Sequence, residues 1–183
     1  MDEVFNKHVL DEVSDDIFHT KFLTEKFTVV ICDMLKESVL WKKGSYDNFY
    51  HTYDIPFEKH YPDLYDLIKT RFDTLILKTM GEIWTFGHKP SAANIFAVKY
   101  AEDTQLALEE HIDESYISGS IKLNNDYDGG LLTFPRQKYT NKELEIGDLI
   151  AWPSQITHPH FSTEVTKGEK YSITIWTDVK NNS

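Results

Sequence analysis

Beyond Gly87 the apolar residues of this 183-residue chain change their period from helical to two, and they keep the shorter period almost to the C-terminal end. Residues 94–100 place Phe96, Val98 and Tyr100 on one face and Ile95, Ala97 and Lys99 on the other. Residues 116–124 alternate likewise, with Ile117, Gly119, Ile121 and Leu123 opposite Ser118, Ser120, Lys122 and Asn124. A turn-rich run, Asn124-Asn125-Asp126-Tyr127-Asp128-Gly129-Gly130, reverses the chain into residues 131–134, and Gly147-Asp148 marks a further turn into 149–152. Residues 170–177 complete the series, with Lys170, Ser172, Thr174 and Trp176 facing one way and Tyr171, Ile173 and Ile175 the other.

The first half reads differently. From Thr24, a good N-cap residue, Phe27, Val30, Ile31, Met34 and Leu35 recur at helical spacing, which predicts a helix ending near Ser38 with Cys32 beside its apolar stripe. After Pro62-Asp63, a second stripe of Leu64, Leu67, Ile68, Phe72, Leu75 and Ile76 predicts a helix that stops before Gly81. Residues 4–10 suit a short strand, 14–18 an inward turn, and 41–61, aromatic-rich without a sustained period, a long loop. Two helices followed by many short strands predict a mainly β α+β fold, an antiparallel double-sheet roll with the helices packed on one sheet. On that reading the Ile117/Ile121 and Ile173/Ile175 faces meet the helices, and the polar faces line a barrel mouth suited to small ligands. The expected organisation is one domain over residues 1–183, helical to about 90 and jelly-roll from about 91 to 180.

A formal charge of −11 argues against a nucleic-acid backbone or an anionic membrane surface as the main partner. With Cys32 the single cysteine, an intramolecular disulfide and a cysteine-based zinc site are both excluded, and a reducing compartment is the simpler expectation. The acidic start Met1-Asp2-Glu3-Val4 lacks an apolar leader core, so the expected location is cytoplasmic.

The chemistry centres on His111-Ile112-Asp113. An imidazole and a carboxylate two residues apart on extended backbone project to one side, and one further imidazole would complete the 2-His-1-carboxylate face that leaves positions open on Fe(II). The pair alone is weak, because eight His and sixteen Asp supply about 0.7 such pairs by chance. The downstream motifs add the specificity.

Phe96-Ala97-Val98-Lys99-Tyr100, His111-Ile112-Asp113, the 123–130 turn, Trp152-Pro153-Ser154, and His160 to Lys170-Tyr171-Ser172 form an ordered set. Together they resemble the catalytic domain of the Fe(II)/2-oxoglutarate-dependent prolyl 4-hydroxylase superfamily, with the procollagen lysyl hydroxylases the nearest likeness within it. The resemblance covers residues 94–178, and the N-terminal half only by helix pattern. It implies a double-stranded β-helix of the cupin-like jelly-roll type, and a dioxygenase that hydroxylates an aliphatic C–H of a peptidyl lysine or proline with release of succinate and carbon dioxide. The cofactors implied are Fe(II), 2-oxoglutarate and dioxygen, with ascorbate compatible as an added reductant.

The resemblance assigns His111 and Asp113 as metal ligands and selects His160 as the distal one, ten residues before the cosubstrate anchor Lys170. His158 remains an alternative, since Thr157-His158-Pro159-His160 offers two imidazoles of the same parity. A buried dicarboxylate needs a cation at its far end, and Ser172, on the same face as Lys170, can donate to the same carboxylate. Where the family usually has arginine, the lysine ammonium makes a less directional clamp. Tyr100 matches a cosubstrate-contacting tyrosine and Trp176 a tryptophan near the metal, whereas Lys122 replaces a second cosubstrate tyrosine. His8, His19, His51, His60 and His88 read as structural or surface residues. Glu109, Glu110 and Glu114 around the metal edge suit a cationic substrate, or a merely solvated acidic run. The rival reading is a noncatalytic jelly-roll binding module, and the partner expected is a peptide or small molecule.

Overall fold

The computed structural model describes residues 4–6, 10–44, 52–86 and 89–179. His8, His51 and His88, the middle of the strand expected over 4–10, and much of the loop expected over 41–61 lie outside them. Of the former strand, Phe5 forms an isolated antiparallel bridge with Leu23.

Where an inward turn was expected, the chain makes a hairpin of β1 (Asp11–Ser14) and β2 (Ile17–Lys21), reversed at Asp15-Asp16 with Asp16 at φ 58°. α1 (Glu25–Lys36) follows Thr24, whose extended backbone starts the helix although its side chain makes no capping hydrogen bond. The helix buries Thr28, Ile31, Cys32 and Leu35. Val30, expected on that stripe, is 58% exposed, because it lies a further 100° round the helix from Ile31. The segment read as a loop contains β3 (Lys42–Lys43), β4 (Tyr53–Pro56) and a single turn, α2 (Phe57–His60). Asp54 and Ile55 are both fully buried on adjacent positions, so β4 carries no alternation to read.

The second helical stretch begins with Pro62 at its first turn, where the missing N–H costs nothing. It is divided into α3 (Pro62–Arg71), a π-helical segment Phe72–Leu77 and α4 (Lys78–Ile83). It runs through Gly81 rather than stopping before it, ending only where Trp84 turns extended. Ile68, Phe72 and Ile76, all fully buried, face the sheet.

Then come β5 (Pro90–Tyr100), β6 (Leu108–His111), β7 (Ile117–Lys122), β8 (Tyr127–Gly129), β9 (Leu132–Phe134), β10 (Tyr139–Thr140), β11 (Asp148–Pro153), β12 (His160–Ser162), β13 (Val165–Gly168) and β14 (Lys170–Val179). An eight-stranded sheet, ordered β1-β2-β11-β7-β14-β5-β4-β3, faces a four-stranded one, β10-β9-β12-β6. β8 and β13 form a separate pair. This is the expected jelly roll with helices on one sheet, but N-terminal strands supply both flanks of the large sheet.

In the large sheet β7 pairs with β14 so that Ile121 meets Ile173 and Gly119 meets Ile175, and this face packs on α1 and α3. Gly119 is required there, because a Cβ would meet the Phe72 ring at 2.8 Å. On the opposite face the same ladders pair Ser172 with Lys122, Thr174 with Ser120 and Trp176 with Ser118, and of these Ser120, Ser172, Thr174 and Trp176 line the interior of the roll. No helix among the described residues is long and apolar enough to cross a membrane.

Candidate metal centre and its pocket

β6 and β12 pair antiparallel with His111 directly opposite His160. Cross-strand partners sit close enough for their side chains to touch, and the two rings lie 4.4 Å apart between centroids. β6 ends at His111, so Asp113 arrives on irregular backbone rather than on the continuous strand expected, with Ile112 turned half outward. Asp113 Oδ1 is 3.5 Å from His111 Nε2, and Oδ2 is 3.6 Å from His160 Nε2. One donor atom from each of the three residues lies within 4.8 Å of the others, and no other such His/Cys/Asp/Glu group occurs among the described residues.

Both imidazoles are oriented from behind. The His111 Nδ1 donates to the Glu109 carbonyl at 2.8 Å and the His160 Nδ1 to the His158 carbonyl at 3.0 Å, which leaves both Nε2 lone pairs pointing at the carboxylate and available to an ion. The carboxylate is held likewise: Ser118 Oγ donates to Asp113 Oδ2 at 2.6 Å. Burial alone would push the Asp113 carboxyl up, but the His160 and His111 imidazoles and the Ser118 hydroxyl outweigh it and hold the group below its ordinary value. Burial pulls His160 down, against the opposing pull of Asp113. The cluster thus sets a carboxylate against two imidazole Nε2 atoms, the mixed donor set that suits Fe(II).

His158 is elsewhere. Its Nε2 donates to the Asp15 carbonyl at 3.0 Å, tying the 154–159 loop to the β1–β2 hairpin, and its Nδ1 meets the Thr157 hydroxyl of the same loop at 2.8 Å, so both nitrogens are engaged. His19 pairs with Asp148 at 3.0 Å, away from the cluster.

The cluster opens into a cavity that is partly continuous with solvent. Lys170, Ser172, Thr174 and Trp176 form one wall, as the alternation predicted, and Tyr100 stands beside them on β5. Lys170 is 5% exposed and forms no ion pair among the described residues. Its ammonium donates to Ser162 Oγ at 3.2 Å and lies 4.6 Å above the Tyr100 ring. Burial, helped by the nearby Lys122 charge, pulls the amine down to about 7. Burial also keeps the Tyr100 hydroxyl protonated well beyond its ordinary range. Trp176 packs edge-on against Phe96 at 5.0 Å, forming an apolar wall. Lys122 is not part of the lining; its ammonium donates to the Leu144 carbonyl at 2.8 Å.

Two backbone features place Lys170. Asn124 accepts from the Tyr171 N–H at 2.8 Å and donates to the Glu169 carbonyl at 2.7 Å, bracketing the start of β14. Gly130, at φ 61°, gives room for the lysine stem, since a Cβ would lie 3.0 Å from Lys170 Cδ. Sequence reasoning missed Ser162, Ser118 and Phe96. Each carried a readable signal: Ser162 is two residues from His160, Ser118 is on the polar face of β7, and Phe96 shares the Tyr100 face of β5.

A family model described as the 2OG-Fe(II) oxygenase superfamily matches residues 96–178. The chain is 27% identical over 183 residues to a multifunctional procollagen lysine hydroxylase and glycosyltransferase of Caenorhabditis elegans, covering 90% of this chain and 24% of that protein. Over 96 residues it is 31% identical to a procollagen-lysine,2-oxoglutarate 5-dioxygenase of Drosophila melanogaster, covering 51% of this chain and 13% of the relative. The chain therefore spans about a quarter or less of these relatives' length. Among solved structures, a Pseudomonas putida prolyl-4-hydroxylase superposes with a TM-score of 0.68 at 16% identity, covering 91% of this chain and 94% of its own. A viral collagen prolyl hydroxylase from Paramecium bursaria Chlorella virus-1 gives 0.67 at 14% identity, with 89% and 96% covered. These two likenesses establish the fold.

Proposed function

We propose that this chain, whose residues 96–178 match the 2OG-Fe(II) oxygenase superfamily, is an Fe(II)- and 2-oxoglutarate-dependent dioxygenase that hydroxylates an aliphatic C–H of a peptidyl lysine or proline. The observation that carries this reading is the convergence, in one cavity, of the His111/Asp113/His160 cluster and a buried ammonium that has no carboxylate partner among the described residues. An isolated buried cation is costly, so its retention beside a donor cluster calls for an anionic ligand.

When bound, Fe(II), 2-oxoglutarate and dioxygen supply oxidative C–H hydroxylation, in which 2-oxoglutarate is converted to succinate and carbon dioxide. The chain supplies the rest. His111 and His160 present Nε2 to the ion, each fixed by a backbone carbonyl on Nδ1. Asp113 neutralises part of the ion's charge. Lys170, with Ser162 and Ser172 beside it, holds the far carboxylate, and Tyr100 supports the ammonium from below. The apolar walls made by Phe96, Trp152 and Trp176 keep water from the reacting C–H. Exposed Glu109, Glu110 and Glu114 beside the cluster favour a cationic substrate, which supports lysine over proline.

The test has two stages. Anaerobic addition of Fe(II) and 2-oxoglutarate should give a visible charge-transfer band that a binding module without bidentate cosubstrate does not show. Exposure to oxygen with lysine- and proline-containing peptides should then release succinate and add one oxygen to the peptide. His111→Ala and Asp113→Ala should each abolish both signals, and full turnover in either variant would refute the assignment.

A further inference from the structure

Asp113 has two oxygens at nearly equal reach of the imidazoles, 3.5 Å and 3.6 Å, and nothing in the cluster itself decides which of them meets an ion. The decision comes from behind. Ser118 Oγ donates to Oδ2 at 2.6 Å, and Ser154 Oγ in turn donates to Ser118 Oγ at 2.6 Å. A serine hydroxyl has one proton, so with its own committed to the carboxylate Ser118 can only accept from Ser154, and that acceptance fixes and polarises the hydroxyl. The other acceptor of the Ser154 hydroxyl, the Trp152 carbonyl, is more distant at 3.4 Å. Ser118 and Ser154 are both fully buried and Asp113 is nearly so, which keeps water from replacing either bond.

The backbone holds this chain of hydroxyls in place. Ser154 follows β11, whose Trp152 and Pro153 pair with Ser118 and Ile117 of β7, and the Ser154 N–H bonds the Tyr116 carbonyl at 3.0 Å. The donor is therefore built into the large sheet, whereas Asp113 stands on irregular backbone after β6 of the small one. The link sets the carboxylate's rotation from across the roll.

We propose that Ser118, primed by Ser154, is a positioning residue that occupies Oδ2 and presents Asp113 to the metal through Oδ1 alone. This deepens the Fe(II)/2-oxoglutarate reading and rests on it. A carboxylate free to rotate could chelate the ion with both oxygens and take up a position that the two-point attachment of the cosubstrate requires. With Oδ2 tied to the protein, three protein atoms hold the ion and the opposite side stays open. Loss of the hydroxyl pair therefore changes coordination number, not only affinity.

The test uses Co(II), which binds without turnover and whose visible absorption reports coordination number. Ser118→Ala should weaken Co(II) binding about 10- to 100-fold, the usual cost of losing a group that orients a ligand. It should also alter the Co(II) spectrum and raise the 2-oxoglutarate dissociation constant of the Co(II) form. Ser154→Ala should show the same changes to a smaller degree, and Ser118→Thr, which keeps the hydroxyl, should restore all three. Circular dichroism and melting confirm that each variant is folded, and Ser154→Ala and Ser118→Thr carry the test if Ser118→Ala does not fold. Wild-type affinity within twofold together with an unchanged spectrum in Ser118→Ala would overturn the proposal, as would failure of Ser118→Thr to rescue. Co(II) binding that survives His111→Ala undiminished would instead overturn the metal-site reading, and this inference with it.

Discussion

Replacing Lys170 by Met should make the protein more stable and unable to bind its cosubstrate. Methionine keeps the length and most of the volume of the stem while removing the charge. Burial pulls the amine from 10.5 down to about 7, which corresponds to about 5 kcal/mol acting against the charged form in the folded state. Removing the ammonium from the Tyr100 ring and from Ser162 Oγ costs about 1 kcal/mol each, leaving a net gain of about 3 kcal/mol. For a chain of this size that is about 6–12 °C in Tm. The sign follows from the two titrations. Below pH 7 both folded and unfolded chains carry the proton and the full penalty applies; between about 7 and 10.5 the folded chain sheds it while the unfolded chain keeps it, so wild-type stability rises and the variant's advantage shrinks. Calorimetric melts at pH 6.5, 8 and 9.5 should show this convergence, and 2-oxoglutarate with Ni(II) should raise the wild-type Tm but leave the variant where it was. A Lys170→Met protein that melts at or below wild type at pH 6.5 without ligand would refute the reasoning.

Three further outcomes follow from the same geometry. With Ni(II) bound, the 2-oxoglutarate dissociation constant should rise up to about tenfold per pH unit above pH 7 as Lys170 loses its proton, and titration calorimetry in two buffers should detect the matching proton uptake. His160→Ala should lose metal affinity by more than about 100-fold, whereas His158→Ala should keep it and cost about 1–3 kcal/mol of stability, read by denaturant unfolding, because the Asp15 carbonyl loses its partner. Gly130→Ala, which strains a positive φ and crowds the Lys170 stem, should raise the 2-oxoglutarate dissociation constant while leaving Co(II) affinity within about threefold, as parallel titrations would show.

Alternation made the interior of the roll legible in advance. Lys170, Ser172, Thr174 and Trp176 share a wall because a strand has period two, and no tertiary knowledge is needed to say so. The face meeting the helices was equally readable from Ile117, Ile121, Ile173 and Ile175. Choosing between His158 and His160 was not, since both have the same parity; a cross-strand register with His111 and a loop-to-hairpin bond at Asp15 separate them, and both are long-range facts. β4 escaped notice because both faces of Asp54-Ile55 are covered, and the β1–β2 hairpin because its value lies in pairing with β11. The run through Gly81 shows packing overriding a preference of about 1 kcal/mol.

β7 and β14 each serve two clients at once, the helical layer on one side and the ligand chamber on the other. A saturation scan along either strand should therefore beat like a metronome, with Ile117, Gly119 and Ile121 of β7 scored by expression level and Ser118 and Ser120 by catalysis. Such separation lets a lineage retool the chamber residue by residue without renegotiating its scaffold.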